Sequence, residues 1–221
     1  PELMQVCLAT SLATIIVTSV RSVMAHHRKG AVDWDILKQW AAPIVVGAIL
    51  GVLVVNQLRT ATVQVIVAVM VGLIGLYMMF GKSSWRLADQ MPGGPFRLWF
   101  GTLMGFLSVL LGIGCGSIGT PMQTLHGVPI HRAVATSAGF GVTIALPSAI
   151  GFLFTPLNDA PPWTLGAVNI PAFLIVIAMT MITAPMGASL AHRLDAKKLK
   201  RIFGGFLMLV ALNMLRKALL G

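Results

Sequence analysis

Seven apolar stretches, each close to the length that crosses the hydrocarbon of a bilayer as one helix, occupy most of this 221-residue chain. They run over residues 3–25, 34–57, 61–80, 97–114, 131–154, 168–191 and 198–219. About 20 apolar residues suffice for one crossing. Charged residues make up 10% and apolar residues 57%, whereas a soluble domain carries roughly 25% charged residues. A soluble enzyme, a nucleic-acid binder and a disordered chain are excluded by that deficit. No stretch alternates with period two, so a β-barrel is excluded as well. The pattern predicts an all-α, polytopic membrane protein in the cell (inner) membrane, with the lipid bilayer as its surroundings.

The connections carry the rest of the topology. Pro92, Gly93, Gly94 and Pro95 mark a loop over 81–96, a second break covers 155–166, and HRLDAKKLKR at 192–201 is a charged turn. The formal net charge of +10 would suggest a polyanion partner in a soluble protein, but in a membrane protein it first reads as orientation. If all seven segments cross, Lys and Arg divide almost evenly between the two sides. If the fourth segment enters the membrane and returns, 13 of the 16 fall on one side, which becomes the cytoplasmic one. The fourth segment also has a reason to break, because it runs into Gly112-Ile-Gly-Cys-Gly-Ser-Ile-Gly-Thr-Pro121. Glycine frees backbone N–H groups there, and Pro121 is expected to stop a helix from running through.

Two matches point to an internal repeat. Ala9-Thr-Ser11 recurs as Ala135-Thr-Ser137, and Gly51-Val-Leu-Val-Val-Asn-Gln-Leu58 is matched by Gly187-Ala-Ser-Leu-Ala-His-Arg-Leu194, each pair followed in order by an apolar helix. Residues 1–80 are then a first repeat, 81–96 a connecting loop and 97–221 a second repeat. With a returning fourth segment the two copies run in opposite senses, which is the inverted-repeat architecture of many secondary transporters. The first copy lacks a Gly-rich segment of its own, and its counterpart is expected upstream of Pro1.

The candidate site follows from chemistry that a membrane interior tolerates. Non-helical backbone at that depth must line a wet cavity or be held by protein, and free N–H groups at a helix start favour anions. Gly114, Cys115, Gly116 and Ser117 are therefore expected to offer donors, joined by the repeated hydroxyls Thr10, Ser11, Thr136 and Ser137. For the hydroxyls the competing reading is a bond back to the i−4 carbonyl, and for the glycines close helix packing. Cys7 and Cys115 could carry a sulfur relay or simply be small buried residues. No His, Cys and Asp spacing suggests a metal or cofactor site, and no catalytic residue is expected. Trp34, Trp40, Trp99 and Trp163 read as interfacial anchors. Glu2, Asp33, Asp35, Asp89, Asp159 and Asp195 all stand outside or at the edges of the spans, which disfavours cation coupling.

GIGCGSIGTPM at 112–122 with HGVPIHRAVATSAGFG at 126–141, and CLATSLATI at 7–15 with HHRKGAVDWDIL at 26–37, resemble the hallmark stretches of the sulfite exporter TauE/SafE family of four-toluene-sulfonate uptake permeases. The likeness covers nearly the whole chain and is closest to TauE-like members. It implies a carrier that exports a small anionic substrate, sulfite or an organosulfonate such as sulfoacetate. The family's Gly-x-Gly-Gly-Gly pattern stands here as Gly112-Ile-Gly-Cys-Gly, so Cys115 departs from it. An anion-conducting pore and a membrane sulfur-relay protein using Cys115 and Cys7 are the alternatives. Many carriers pair, so a homodimer is compatible with the class, and no residue specifies it.

Overall fold

The computed structural model describes residues 2–54, 60–81, 87–112, 114–154 and 161–220. All seven apolar stretches are helices: α1 (Glu2–His27), α2 (Trp34–Val54), α3 (Thr60–Phe80), α4 (Gly94–Leu111), α6 (Ile130–Leu153), α7 (Ile170–Arg193) and α8 (Ala196–Leu220). Between α4 and α6 lies a further short helix, α5 (Gly116–Leu125). Ahead of α7 the strands β1 (Thr164–Leu165) and β2 (Val168–Asn169) form a two-residue antiparallel pair. Among the described residues, four helices are long and apolar enough to cross a membrane outright: α1, α2, α6 and α7.

Helix α4 ends at Leu111 and α5 begins at Gly116, so the chain breaks its helix between them. Gly112 ends α4 in the left-handed region, at φ +62°, and its N–H bonds the Val109 carbonyl at 3.0 Å. Only glycine takes that conformation without cost from a Cβ. Pro121, expected to stop the helix, instead sits inside α5. The ring removes one donor, so the Ser117 carbonyl loses its i+4 partner, but a single missing bond does not end a helix whose other faces are packed.

The hairpin of α4 and α5 begins and ends at the same face of the bundle. The Leu87 N–H donates to the Leu125 carbonyl at 2.8 Å, and the Asp89 backbone lies against Gly127. At 1.5 Å per residue α4 is about 27 Å long and α5 about 15 Å, so α5 starts deep in the molecule and returns to the face where α4 began. Other contacts gather the remaining basic connections at this end. Arg132 pairs with Asp33 at 2.6 Å, His26 Nδ1 meets His192 Nε2 at 2.9 Å, and His131 Nε2 donates to the Leu194 carbonyl at 2.9 Å.

Helix α6 is central and α7 peripheral: 61% of the apolar span of α6 is buried, against 6% for α7. Leu174, Ile175, Met179, Ile182, Met186 and Leu190 lie exposed along α7, an apolar surface suited to lipid. The core collects Leu12, Ile44, Met104, Phe140, Ile144 and Phe152. Trp40 belongs to it, at 1% exposure, which corrects its assignment as an interfacial anchor. Its neighbour across the interface is Gly101, and the missing side chain there leaves room for the indole against α4. Trp99 and Trp163 are exposed, and Trp34 donates its indole N–H to His27.

Glycines let α2 and α4 approach backbone to backbone. A Cβ at Gly47 would collide with the Thr102 carbonyl, and one at Gly105 with the Ile44 carbonyl. Close approach through small residues is how helices gain packing contacts in lipid, where no hydrophobic force drives them together. Gly105→Ala should therefore destabilise the detergent-solubilised protein by about 1–3 kcal/mol, read as a lowered thermal midpoint. Gly187→Ala on α7, where a Cβ meets nothing within 4 Å, should leave the midpoint unchanged or raise it.

Candidate functional site

The site begins with the backbone that α5 leaves unpaired. The first helical turn of any α-helix has N–H groups without intrahelical acceptors, and here that turn starts inside the molecule rather than at its surface. Gly119 N–H reaches back to the Cys115 carbonyl at 2.6 Å, so Cys115, Gly116 and Ser117 are the residues of the open turn. A Cβ at Gly114 or Gly116 would meet nothing within 4 Å: there is free space beside this helix start. The aligned peptide dipoles place roughly half a positive charge there.

Side-chain hydroxyls in helices usually turn back to a carbonyl three or four residues earlier, and most of this chain's do. Thr14 bonds the Ser11 carbonyl at 2.7 Å, Thr18 that of Thr14 at 2.9 Å, Thr143 that of Phe140 at 2.8 Å and Ser148 that of Ile144 at 2.7 Å. Ser117 and Thr120, on the first two turns of α5, do not. Their hydroxyl oxygens are buried without a hydrogen-bond partner, and Thr120 is 1% exposed. Two buried hydroxyls on the first turns of α5 are thus left with unused hydrogen-bonding capacity, which buried polar groups rarely are.

Gln123 completes the polar face of α5. It is fully buried, and its Nε2 donates to Ser137 Oγ at 2.8 Å, to the Gly119 carbonyl at 3.2 Å and to the Ala133 carbonyl at 3.3 Å. Because Ser137 Oγ accepts this bond, the Ser137 proton is left to point elsewhere. The Gln123 Oε1 is itself buried and without a partner.

The four repeated hydroxyls are placed differently from a shared cradle. Thr136 Oγ1 accepts the Asp33 N–H at 2.9 Å at the start of α2, and Thr10 Oγ1 accepts the Asn169 N–H at 2.9 Å at the start of α7. Asp33 and Asn169 each use a side-chain oxygen on a backbone N–H three residues on, at Ile36 and Ala172, the bond of an N-cap. Ser11 donates to the Gly112 carbonyl at 2.9 Å and so holds the end of α4. Of the eight sequence-derived residues, Gly114 and Gly116 border the free space, and Ser117 has a buried hydroxyl without a partner. Ser137 borders α5 through Gln123 and Gly119. Ser11, Thr10 and Thr136 are committed to backbone groups, and Cys115 is fully buried with its Sγ 3.9 Å from Ser108 Oγ.

Two polar residues of α5 fall outside the set expected from sequence. Thr120 lies at the end of the glycine run and Gln123 just past it, and the spacing Ser117, Thr120, Gln123 is itself a helical polar stripe that marks them. Away from α5, Arg21 stands within the apolar span Gln5–His27, with its Nε buried and unpartnered. An arginine six residues inside the end of an apolar helix is the available signal. Among the described residues no group of three His, Cys, Asp or Glu side chains is placed to hold a metal ion.

Removing an unpaired hydroxyl should cost nothing. Thr120→Val is expected to shift stability by less than about 0.5 kcal/mol, since no protein bond is lost. Gln123→Ala should cost about 2–4 kcal/mol through lost bonds and a cavity. Thermal unfolding of the two purified variants in one detergent checks the contrast.

The family model described as Sulfite exporter TauE/SafE matches residues 3–214. A probable membrane transporter protein of Haemophilus influenzae is 28% identical over 97% of this chain and 82% of its own length. One from Methanocaldococcus jannaschii is 26% identical over 97% and 80% respectively. The probable membrane transporter protein YtnM of Bacillus subtilis is 25% identical over 88% of this chain and 65% of its own. No solved structure gives a significant match.

Proposed function

We propose that this chain, which belongs to the sulfite exporter TauE/SafE family, exports small sulfur-containing anions, sulfite or organosulfonates such as sulfoacetate, by alternating access. Family and relatives make it a multi-pass membrane transporter rather than an enzyme. The observation that carries the substrate class is the pair of buried, unpartnered hydroxyls of Ser117 and Thr120 beside the inward-facing start of α5. Sulfite and sulfonate oxygens are acceptors only, and N–H and O–H donors can hold them without bringing a permanent counter-charge into the bilayer.

Electrostatics supports export. The acidic residues Asp33, Asp35, Asp89 and Asp195 lie at the starts of helices or between them, so the spans hold no carboxylate from these to repel an anion or couple a cation. An anion leaving a cell of negative interior gains roughly 2.3 kcal/mol per charge per 100 mV. Arg21, inside the basic end of α1, supplies attraction on the side from which the substrate comes.

The reciprocal bonds Thr10–Asn169 and Thr136–Asp33 support a reading of residues 1–80 and 97–221 as two inverted halves joined through 81–96. In each, a threonine of one half caps the helix start of the other. Rocking of such halves about a site between them is one route to alternating access.

Proteoliposomes loaded with labelled sulfite or sulfoacetate provide the test. Saturable efflux with counterflow of both or either is the expected result; absence of protein-dependent flux for both would sink the proposal. Ser117→Ala, Thr120→Val and Ser137→Ala should each raise KM about tenfold or more, the worth of one hydrogen bond to a charged ligand. Unsaturable ion currents would favour a pore instead. The double variant Cys7→Ala, Cys115→Ala should keep its flux, and a loss would favour a sulfur relay.

A further inference from the structure

A cavity of about 630 Å³ opens at the basic end of the molecule, away from the start of α5, between the last turn of α3, the α5–α6 connection and the first turn of α8. Its wall is divided by chemistry. One side is apolar, with Met79 and the exposed Phe80 from α3 and Pro129 from the connection; the other carries Lys197, Lys200 and Arg201 of α8. The volume lies within the roughly 300–1,000 Å³ typical of small-ligand sites.

Among the described residues lining the cavity, no carboxylate faces the three cations. The neighbouring acid, Asp195, is engaged elsewhere: its Oδ1 accepts the Lys198 N–H at 2.8 Å and its Oδ2 pairs with Lys198 Nζ at 3.3 Å. Those bonds hold the Asp195 carboxyl below the usual carboxylate range. Asp89 approaches the cavity at Gly127 through its backbone. Lys200 is fixed in direction, its Nζ lying 4.4 Å from the centroid of the Tyr77 ring.

We propose that this cavity is a binding site for the phosphate headgroup of an anionic phospholipid, seated between the α8 cations with its acyl chains leaving over Met79 and Phe80. Three features select a lipid over a dissolved anion. The site stands at the membrane–water boundary of the basic end; its cations face an apolar wall rather than a closed polar cage; and that wall continues onto an exposed aromatic at the helix end. Juxtamembrane basic clusters attract anionic lipid in this way. The proposal is independent of which substrate the transporter carries.

Native mass spectrometry of the detergent-purified chain, titrated with phosphatidylglycerol, phosphatidylcholine or inorganic phosphate, tests it. Phosphatidylglycerol should be retained in preference to phosphatidylcholine. The triple variant Lys197→Gln, Lys200→Gln, Arg201→Gln should weaken that retention by about fivefold per charge removed. Arg201→Gln alone, at an exposed position, guards against misfolding of the triple and should weaken it about fivefold. Lys198→Gln, whose ammonium faces Asp195, should leave it unchanged. Equal retention of the two lipids, retention unaffected by the triple and single variants, or displacement of phosphatidylglycerol by equimolar inorganic phosphate would each overturn the assignment.

Discussion

A backbone that leaves the helix inside a bilayer has no water to satisfy it, and residues 112–115 set this chain that problem. The answer organises much of the surrounding structure. Gly112 turns left-handed to end α4, Ser11 reaches across from α1 to its carbonyl, and Leu8 packs where a side chain on Gly112 would stand. What these contacts do not satisfy is the far side of the break, the opening turn of α5. A fold that held every polar group would be more stable there. The hydroxyls of Ser117 and Thr120 add to the deficit instead of repairing it.

The same need for satisfied backbone explains the threonines of the two Ala-Thr-Ser tripeptides. Helices α2 and α7 begin with exposed N–H groups, and an Asx side chain covers only one of them at each start. A threonine from a neighbouring helix covers the N–H of the Asx residue itself, from α6 in one case and from α1 in the other. These bonds tie α1 to α7 and α6 to α2 at opposite ends of the molecule. Their cost is that Thr10 and Thr136 have their oxygens occupied, so the open polar groups lie on α5 rather than on these two threonines.

The helices, their boundaries within a few residues, the break in the fourth segment and the gathering of basic connections were all legible, because apolar length and glycine content act locally along the chain. Partnership was not. Trp40 looks like any tryptophan near the start of a span until Gly101 of α4 vacates the space beside it. Thr10 and Ser11 look like twins, yet one accepts a bond from α7 and the other donates to α4. Thr120 and Gln123 lie in a stretch whose glycines drew attention away from its polar face. Pro121 was read as a stop because proline breaks isolated helices, but α5 is held by packing against α6 and tolerates one absent bond.

Between Arg97 and Arg132 the chain holds no Lys, Arg, Asp or Glu, and the hairpin built from that stretch starts and finishes on one face. During biogenesis such a unit can be inserted from the side on which it was made. Only the turn at 112–115 travels inward, and it takes no charge with it. The break between α4 and α5 thus also spares the membrane insertion machinery a full translocation of that stretch.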